Sequence, residues 1–398
     1  MHCERKITDD LYYIGASDRR IERFENAYPV PEGVSYNSYV LLDDDVTVFD
    51  IADRSVIGQY FQNLETVLDG RPVSYLVIDH VEPDHCATLA DFMVRYPETR
   101  IVTNVKALNF IKQFFEIDMD DRVLLVKEGD ELQTGRHTLA FTMTPMVHWP
   151  EVMMTYEKTE KILFSADAFG HFGALSGQIF ADEINFDSMW DEARRYYSNI
   201  VGKYGVQVQM ALKKLSGLEI DYVCPLHGLV WRKGFEKYLE KYQQWSLYKP
   251  EENGVLIVYG SIYGNTQNAA EVLAKHIVEA GQTNVKVVDV SKTDGSYIIS
   301  DMFRFSHIVL ASATHDAMVF APMGNLIHLM EHHGVQNRKF AVIENGTWAP
   351  MAGKLMEERL LALKGMEKIG EKVTVRSSLK KDGDEQLKDL AMQIVGSF

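Results

Sequence analysis

Four side chains able to bind a metal ion fall within six residues, His80-Val81-Glu82-Pro83-Asp84-His85, and no other stretch limits the fold so tightly. Two imidazoles and two carboxylates cannot be buried without partners except at great cost, so the fold must bring them to water or to a cation. The β-branched apolar run from Val73 to Asp79 reads as a buried strand, and Cys86 to Tyr96 reads as a helix. A metal-binding loop at the carboxyl end of a strand is the expectation. The competing use of the same residue types is helix capping and a solvated turn.

Further ligand types recur at equivalent places. His148 follows an apolar run ending near Met146, Asp167 follows Ile162 to Phe164, and His227 follows Tyr222 to Leu226. Each stands just past a strand, where side chains from different strands converge on one rim. A lone histidine at a strand end reads as an ordinary core or surface residue, but their joint placement after the six-residue loop points to one site.

At 398 residues the chain is too long for a single core, and two domains are expected. A net charge of -16, from 41 basic and 57 acidic residues, opposes nucleic acid and anionic lipid as partners. Cys3, Cys86 and Cys224 form neither a disulfide framework nor a Cys-x-x-Cys knuckle, which suits a reducing compartment. No leader-like apolar region follows Met1, and no run approaches the ~18 apolar residues of a membrane span, so a cytoplasmic protein without a membrane partner is expected.

In chain order, Leu11 to Gly15, Val34 to Leu42 and Val46 to Asp50 read as strands, with Asp43-Asp44-Asp45 a solvated hairpin tip. Arg54 to Leu68 has helical spacing. Strands at 100–103 and 123–126 flank a helix over 107–115, and strands follow at 138–143, 153–156 and 162–164. Helices return over 188–200, 206–215 and 234–245. Strands with helices, twice over, suggest two packed sheets with helices outside. A polar Pro-to-Gly stretch around Pro250 marks a boundary between domains at 1–250 and 251–398.

Beyond it, strand and helix alternate: strands at 255–259, 285–290, 308–311, 340–343 and 373–375, and helices at 268–279, 324–331, 354–363 and from Gln386. That is the rhythm of a doubly wound parallel sheet. Its first strand-to-helix turn, Gly260-Ser261-Ile262-Tyr263-Gly264-Asn265-Thr266, offers hydroxyls, an amide and a helix N-terminus, an anion cradle. It carries no Lys for a triphosphate, so a monophosphate fits better.

The array His80, Glu82, Asp84, His85, His148-Trp149-Pro150, Asp167-Ala168-Phe169-Gly170 and His227-Gly228 resembles the metallo-β-lactamase-like domain of the flavodiiron proteins. The 260–266 turn resembles the flavodoxin phosphate loop, and Ser312-Ala313-Thr314-His315-Asp316 and Glu344-Asn345-Gly346-Thr347-Trp348 agree with it as flanking loops. The resemblance spans essentially the whole chain. It implies an α/β protein: an N-terminal αββα sandwich followed by a flavodoxin-like parallel sheet.

It also implies FMN and two non-haem irons, one on His80, Glu82 and His148, the other on Asp84, His85 and His227, with Asp167 between them. Zinc hydrolases of the same fold have His at the place of Glu82, and carboxylate favours iron. The implied activity is reduction of dioxygen to water, of nitric oxide to nitrous oxide, or of both, with electrons from a separate donor such as a rubredoxin. The implied assembly is a head-to-tail homodimer, with a dimer of dimers as the next level. Tyr196 and Tyr197 resemble a helix that brings one tyrosine near the irons. Two residues depart from the family pattern: Glu25, where many relatives have His after the Phe, and Cys86, an oxidisable thiol beside His85. A zinc hydrolase with an appended flavodoxin domain, and a plain FMN electron-transfer module, are the alternatives.

Overall fold

The computed structural model describes residues 3–117 and 119–398. Its chain forms two compact units, Met1–Tyr197 with Val206–Tyr242, and Ser198–Gly205 with Gln243–Phe398.

The first unit holds two sheets. In the larger, the strand order is Arg5–Lys6, Leu11–Tyr13, Tyr39–Leu41, Thr47–Phe49, Tyr75–Val77, Arg100–Thr103, Val123–Leu125. Neighbours are antiparallel as far as Thr47–Phe49 and parallel beyond it. The smaller runs Glu131–Gln133, Thr138–Met143, Met153–Glu157, Ile162–Phe164, Tyr222–Cys224, with only the last pair parallel. Alternate residues explain the layering. Phe49, Val77 and Val102 join Phe141, Met153 and Phe164 in one core between the sheets, while Val48, Leu76 and Ile101 are buried on the other face. Strands buried on both sides read as unbroken apolar runs. The Phe49 and Phe164 rings stack at 3.7 Å across the sandwich.

Three local expectations change. Residues 34–42 are two strands, not one: Val34–Tyr36 pairs with Ala16–Asp18, and Tyr39–Leu41 enters the large sheet. The break falls at Asn37 and Ser38, whose side chains donate to the carbonyls of Pro225, Gly228 and Asp50 and so hold the rim loops. Asp43 is more than a solvated tip residue, since its carboxylate accepts from Thr134 Oγ1, Arg136 N and His137 N and ties the hairpin to the second sheet's first turn. The helix expected from Cys86 starts earlier, as Pro83–Cys86 followed by Leu89–Arg95. Pro83 at the first helical position is pre-set for it, and Asp84 and His85 therefore project from a helical turn.

The second unit is a parallel sheet in the order Val285–Asp289, Glu252–Gly260, Phe305–His315, Lys339–Asn345, then Glu367–Lys368 and Val373–Val375. Helices Asn265–Glu279 and Lys381–Val395 cover the face carrying Val255, Ile257, Val309 and Ile343. Leu256, Val258, Ile308 and Leu310 are buried on the opposite face. A helix not anticipated, Gly295–Arg304, starts at Asp294, whose side chain accepts from Ser296 N. Its carboxyl end is gathered by buried Arg338, which donates to the carbonyls of Met302, Phe303 and Tyr248. Asn199 of the 198–205 segment donates to Ser296 O at 3.1 Å. Tyr248 Oη takes the Gly205 N–H at 3.2 Å and donates to Lys203 O at 3.1 Å. Among the described residues no helix is long and apolar enough to cross a membrane.

Candidate functional site

The seven ligand-type residues of the first unit converge on one rim. His80, Glu82, His148 and Asp167 form one group whose nitrogen and oxygen atoms lie within 4.8 Å of one another; Asp84, His85 and His227 form a second. Asp167 faces both. Its Oδ2 is 3.0 Å from His148 Nε2 and 3.4 Å from His80 Nε2, while its Oδ1 is 3.3 Å from His85 Nε2 and 3.5 Å from His227 Nε2. Glu82 Oε2 lies 2.9 Å from His148 Nε2 and 3.3 Å from His80 Nε2; Asp84 Oδ2 lies 3.2 Å from both His85 and His227. All four imidazoles thus present Nε2 to the centre.

The backbone is bent to achieve this. Ala166, immediately before Asp167, has φ 49, and Asp50 has φ 49, left-handed values that cost a residue with a Cβ about 1 kcal/mol or more and cluster at functional sites. Asp50 Oδ1 accepts from the N–H of both Asp79 and His80, which fixes where the six-residue loop begins. Gly228 has φ 80, with its N–H donated to Ser35 Oγ and its carbonyl accepting from Asn37 Nδ2.

The polar atoms of this rim are poorly satisfied by the protein itself. Both oxygens of Asp84, Oδ1 of Asp167 and Nδ1 of His85 are buried without a hydrogen-bond partner. His85 Nε2 and His227 Nε2 approach to 3.0 Å, two like groups that share at most one proton. Burial acts to lower His85, but Asp84 and Asp167 outweigh it and carry the imidazole up to about 10. For His148, burial is likewise overcome, by Asp167 and Glu82, which raise it to about 10. The pocket is thus suited to cations, which would satisfy the orphaned oxygens of Asp84 and Asp167. The residues fit a pair of metal ions.

The walls are aromatic. Phe24 stands edge-on to His227 at 5.2 Å, and Tyr36 is 5.8 Å from the same ring. The two tyrosines left open by the sequence separate here. Tyr196 lies 5.6 Å from His227 with a buried hydroxyl that makes no hydrogen bond, whereas Tyr197 packs on Tyr242 at 4.8 Å. Cys86 is buried, and burial pushes its thiol well up, so it is an inert core residue rather than an oxidisable one. Glu25 is exposed at the mouth, yet its carboxyl turns inward. Desolvation there, and then the charge of Glu82, raise it to about 8.

Sequence reasoning missed Asp50, Asp79 and Glu151. Glu151 Oε1 accepts from His80 Nδ1 at 2.8 Å and Val81 N at 3.1 Å, and Asp79 Oδ1 accepts from Thr155 Oγ1 at 2.7 Å. Asp50 and Asp79 do stand at strand ends in sequence; nothing but the fold brings Glu151 onto His80.

In the second unit, the three loops emerge at the carboxyl ends of adjacent strands, where doubly wound sheets hold their ligands. Ser261 Oγ accepts from Gly264 N at 3.0 Å, and Gly264, at φ 90, turns the chain into helix Asn265–Glu279, whose N-terminus has no side-chain cap. Uncapped first-turn amides beside Ser261 and Thr266 are the donors a phosphate needs. Ile262 and Tyr263 point outward, Tyr263 being 92% exposed. The stretch Ser312 to His315 is not a loop but the end of strand Phe305–His315, which turns at Asp316 into a hairpin with Met318–Val319. Ser312 and Ala313 are buried there. Thr314 Oγ1 accepts from Met351 N and Ala352 N and so caps helix Ala352–Leu361. Asn345 and Thr347 are tied to Ser377, Gly346 packs against Pro350 and Thr314, and Trp348 is 68% exposed. These donors fit a phosphate group, the anionic end of a flavin mononucleotide.

Residues 34–228 match the ODP family beta lactamase. An uncharacterised protein of Methanocaldococcus jannaschii is 31% identical over 326 residues, covering 82% of this chain and 81% of that protein. Anaerobic nitric oxide reductase flavorubredoxin of Escherichia coli is 28% identical over 360 residues, covering 89% of this chain and 74% of its own. Among solved structures, rubredoxin oxygen:oxidoreductase from Desulfovibrio gigas has a TM-score of 0.93 at 28% identity, covering 99% of this chain and 98% of that one. The flavodiiron protein from Giardia intestinalis shares the fold at a TM-score of 0.91 and 23% identity, covering 99% and 96%.

Proposed function

The chain belongs to the flavodiiron protein family and is an oxidoreductase, and on that premise we propose that it passes electrons from an external donor through FMN to a non-haem diiron site that reduces dioxygen to water, nitric oxide to nitrous oxide, or both. The observation that carries this reading is the division of Asp167, one oxygen toward His80 and His148, the other toward His85 and His227. His80, Glu82 and His148 would hold one iron and Asp84, His85 and His227 the other, with Asp167 facing both groups. When bound, the iron pair and FMN supply two electrons each, enough to take dioxygen to water.

The chain's own groups do the rest. Glu82, Asp84 and Asp167 offset the charge of two cations, and the third carboxylate kind at position 82 favours iron over zinc. Phe24, Tyr36 and Tyr196 keep one side of the pocket apolar, suited to a small uncharged gas. Tyr196 holds a proton at its Oη, since burial and the Asp167 charge raise it well above the usual phenol range. Ser261, Thr266 and the helix amides would hold the FMN phosphate, and exposed Trp348 offers a face to a flat ring. For the electron donor, a rubredoxin is consistent with the named relatives. A cytoplasmic, head-to-tail homodimer, with domains divided near residue 250, completes the reading; it lets the FMN of one copy serve the irons of another.

The test is metal and flavin analysis of protein made without added zinc, joined to gas consumption with reduced rubredoxin. Two irons and one FMN per chain with turnover of either gas are expected. Zinc with esterase activity, or flavin without metal, would overturn the proposal.

A further inference from the structure

The two proposed iron sites have matched ligands. Each has two imidazoles and one carboxylate of its own, and they share Asp167. They differ one layer out, at the nitrogen each histidine turns away from the centre. His227 Nδ1 is 2.7 Å from the main-chain carbonyl of Ser35, a neutral acceptor. His85 Nδ1 is buried without a partner. His80 Nδ1 is 2.8 Å from Glu151 Oε1, a carboxylate wholly screened from solvent.

Glu151 is built in for this contact. Its Oε1 also accepts from Val81 N at 3.1 Å, so the carboxylate grips the loop at the main chain and the ring together. Its Oε2 is buried with no hydrogen bond. Its own carbonyl is held by Asn104 Nδ2 at 2.7 Å, which sets the side chain's origin. The ring of Trp149 stands edge-on to His80 at 5.5 Å and keeps water from the pair.

We propose that Glu151 is a positioning residue that acts through His80 and makes the two otherwise matched iron sites unequal. A carboxylate on Nδ1–H fixes the tautomer, draws the proton toward itself and makes Nε2 a stronger donor. The ion on His80, Glu82 and His148 is therefore held more tightly, and at a lower reduction potential, than it is when Nδ1 meets a neutral acceptor. An iron held there would be the easier of the two to oxidise. The inference rests on the diiron reading above.

The test uses ferrous iron and the whole chain, in two backgrounds that isolate the sites. His227→Ala leaves the His80 side intact, and His148→Ala leaves the His85 side intact. Glu151→Gln keeps an oxygen for Nδ1–H but removes the charge; Glu151→Ala removes both. In equilibrium dialysis, Glu151→Gln should weaken iron binding 10–100-fold in the first background, leave the second unchanged, and raise the potential of the iron that is bound. Glu151→Ala should weaken the first further. A merely structural role predicts instead that Glu151→Gln binds like the parent and that any loss in Glu151→Ala follows its thermal stability in both backgrounds alike. Either of those results overturns the proposal. If the unmodified chain binds two irons while Glu151→Gln changes nothing, the inference alone fails; if the unmodified chain binds no iron pair, the diiron reading fails and the inference with it.

Discussion

Replacing Gly228 by Ala should cost the first unit about 3–4 kcal/mol and dislodge His227. The backbone there has φ 80, and an L-residue in that region costs about 1–2 kcal/mol. The added Cβ would also lie 2.4 Å from Cδ2 and 2.5 Å from Nε2 of His171. That ring cannot step aside freely. Its Nδ1 bonds Phe172 O at 2.8 Å and its Nε2 accepts from Leu229 N at 3.0 Å, and each bond lost costs roughly 1 kcal/mol. Gly228 cannot move instead, because Ser35 and Asn37 hold its N–H and carbonyl at 2.7 and 2.8 Å. Whichever side yields, the loop carrying His227 shifts. Thermal unfolding should fall by roughly 10 °C, and metal analysis should show preferential loss from the Asp84–His85–His227 side. A variant melting within about 2 °C of the parent with both metals retained would refute the reasoning.

Asp167→Ala should lose metal from both sides and abolish gas reduction while leaving FMN bound; two irons by metal analysis would contradict the bridge. Replacing Ser261 and Thr266 by Ala together should weaken FMN by a few kcal/mol, at ~1.5–3 per charge-assisted hydrogen bond, read as flavin lost on dialysis. His171 is lowered from 6.5 to about 4, first by burial, so the folded state takes up its proton later than the unfolded one. Its contribution to stability is full above the ordinary value and is lost as pH falls from ~6.5 toward 4, by about 3 kcal/mol in all. Urea unfolding of His171→Gln should accordingly change less between pH 7 and pH 4.5 than the parent does, and equal changes would dismiss the idea.

Apolar patterning located strands both where burial alternates, as in Thr138–Met143, and where it is continuous, as in Ile162–Phe164. The strands Thr138–Met143, Ile162–Phe164 and Val373–Val375 fall on the residues the apolar runs mark. It failed where side chains compete with the ladder or where a strand is short and exposed. Asn37 and Ser38 bend one apparent strand into two, Glu131–Gln133 offers three residues with little apolar content, and helix Gly295–Arg304 begins with Gly and Ser and carries adjacent isoleucines. The metal-type residues were legible because each lies in a segment that follows a strand. Choosing Tyr196 over Tyr197 was not, since neighbours on one helical segment differ only in what they pack against. Thr314 has a use that the sequence does not display: its hydroxyl accepts from Met351 N and Ala352 N at the start of a helix.

The short segment Ser198–Gly205 bears on how such a chain could be assembled or recombined. A gene splice at Pro250 would hand over the flavodoxin-like sheet without Asn199 to meet Ser296 O, and without Gly205 and Lys203 to meet Tyr248. Tyr248 itself, whose carbonyl Arg338 holds at 2.6 Å, would also stay behind. Arg338 is buried and all its named acceptors are carbonyls, so a transplanted module would carry a cation stripped of one of them. Exchange of modules between relatives therefore favours crossovers that carry residues 198–205 and 243–250 along with the sheet, and a hybrid joined at 250 has to find substitutes for each of those contacts in its new host.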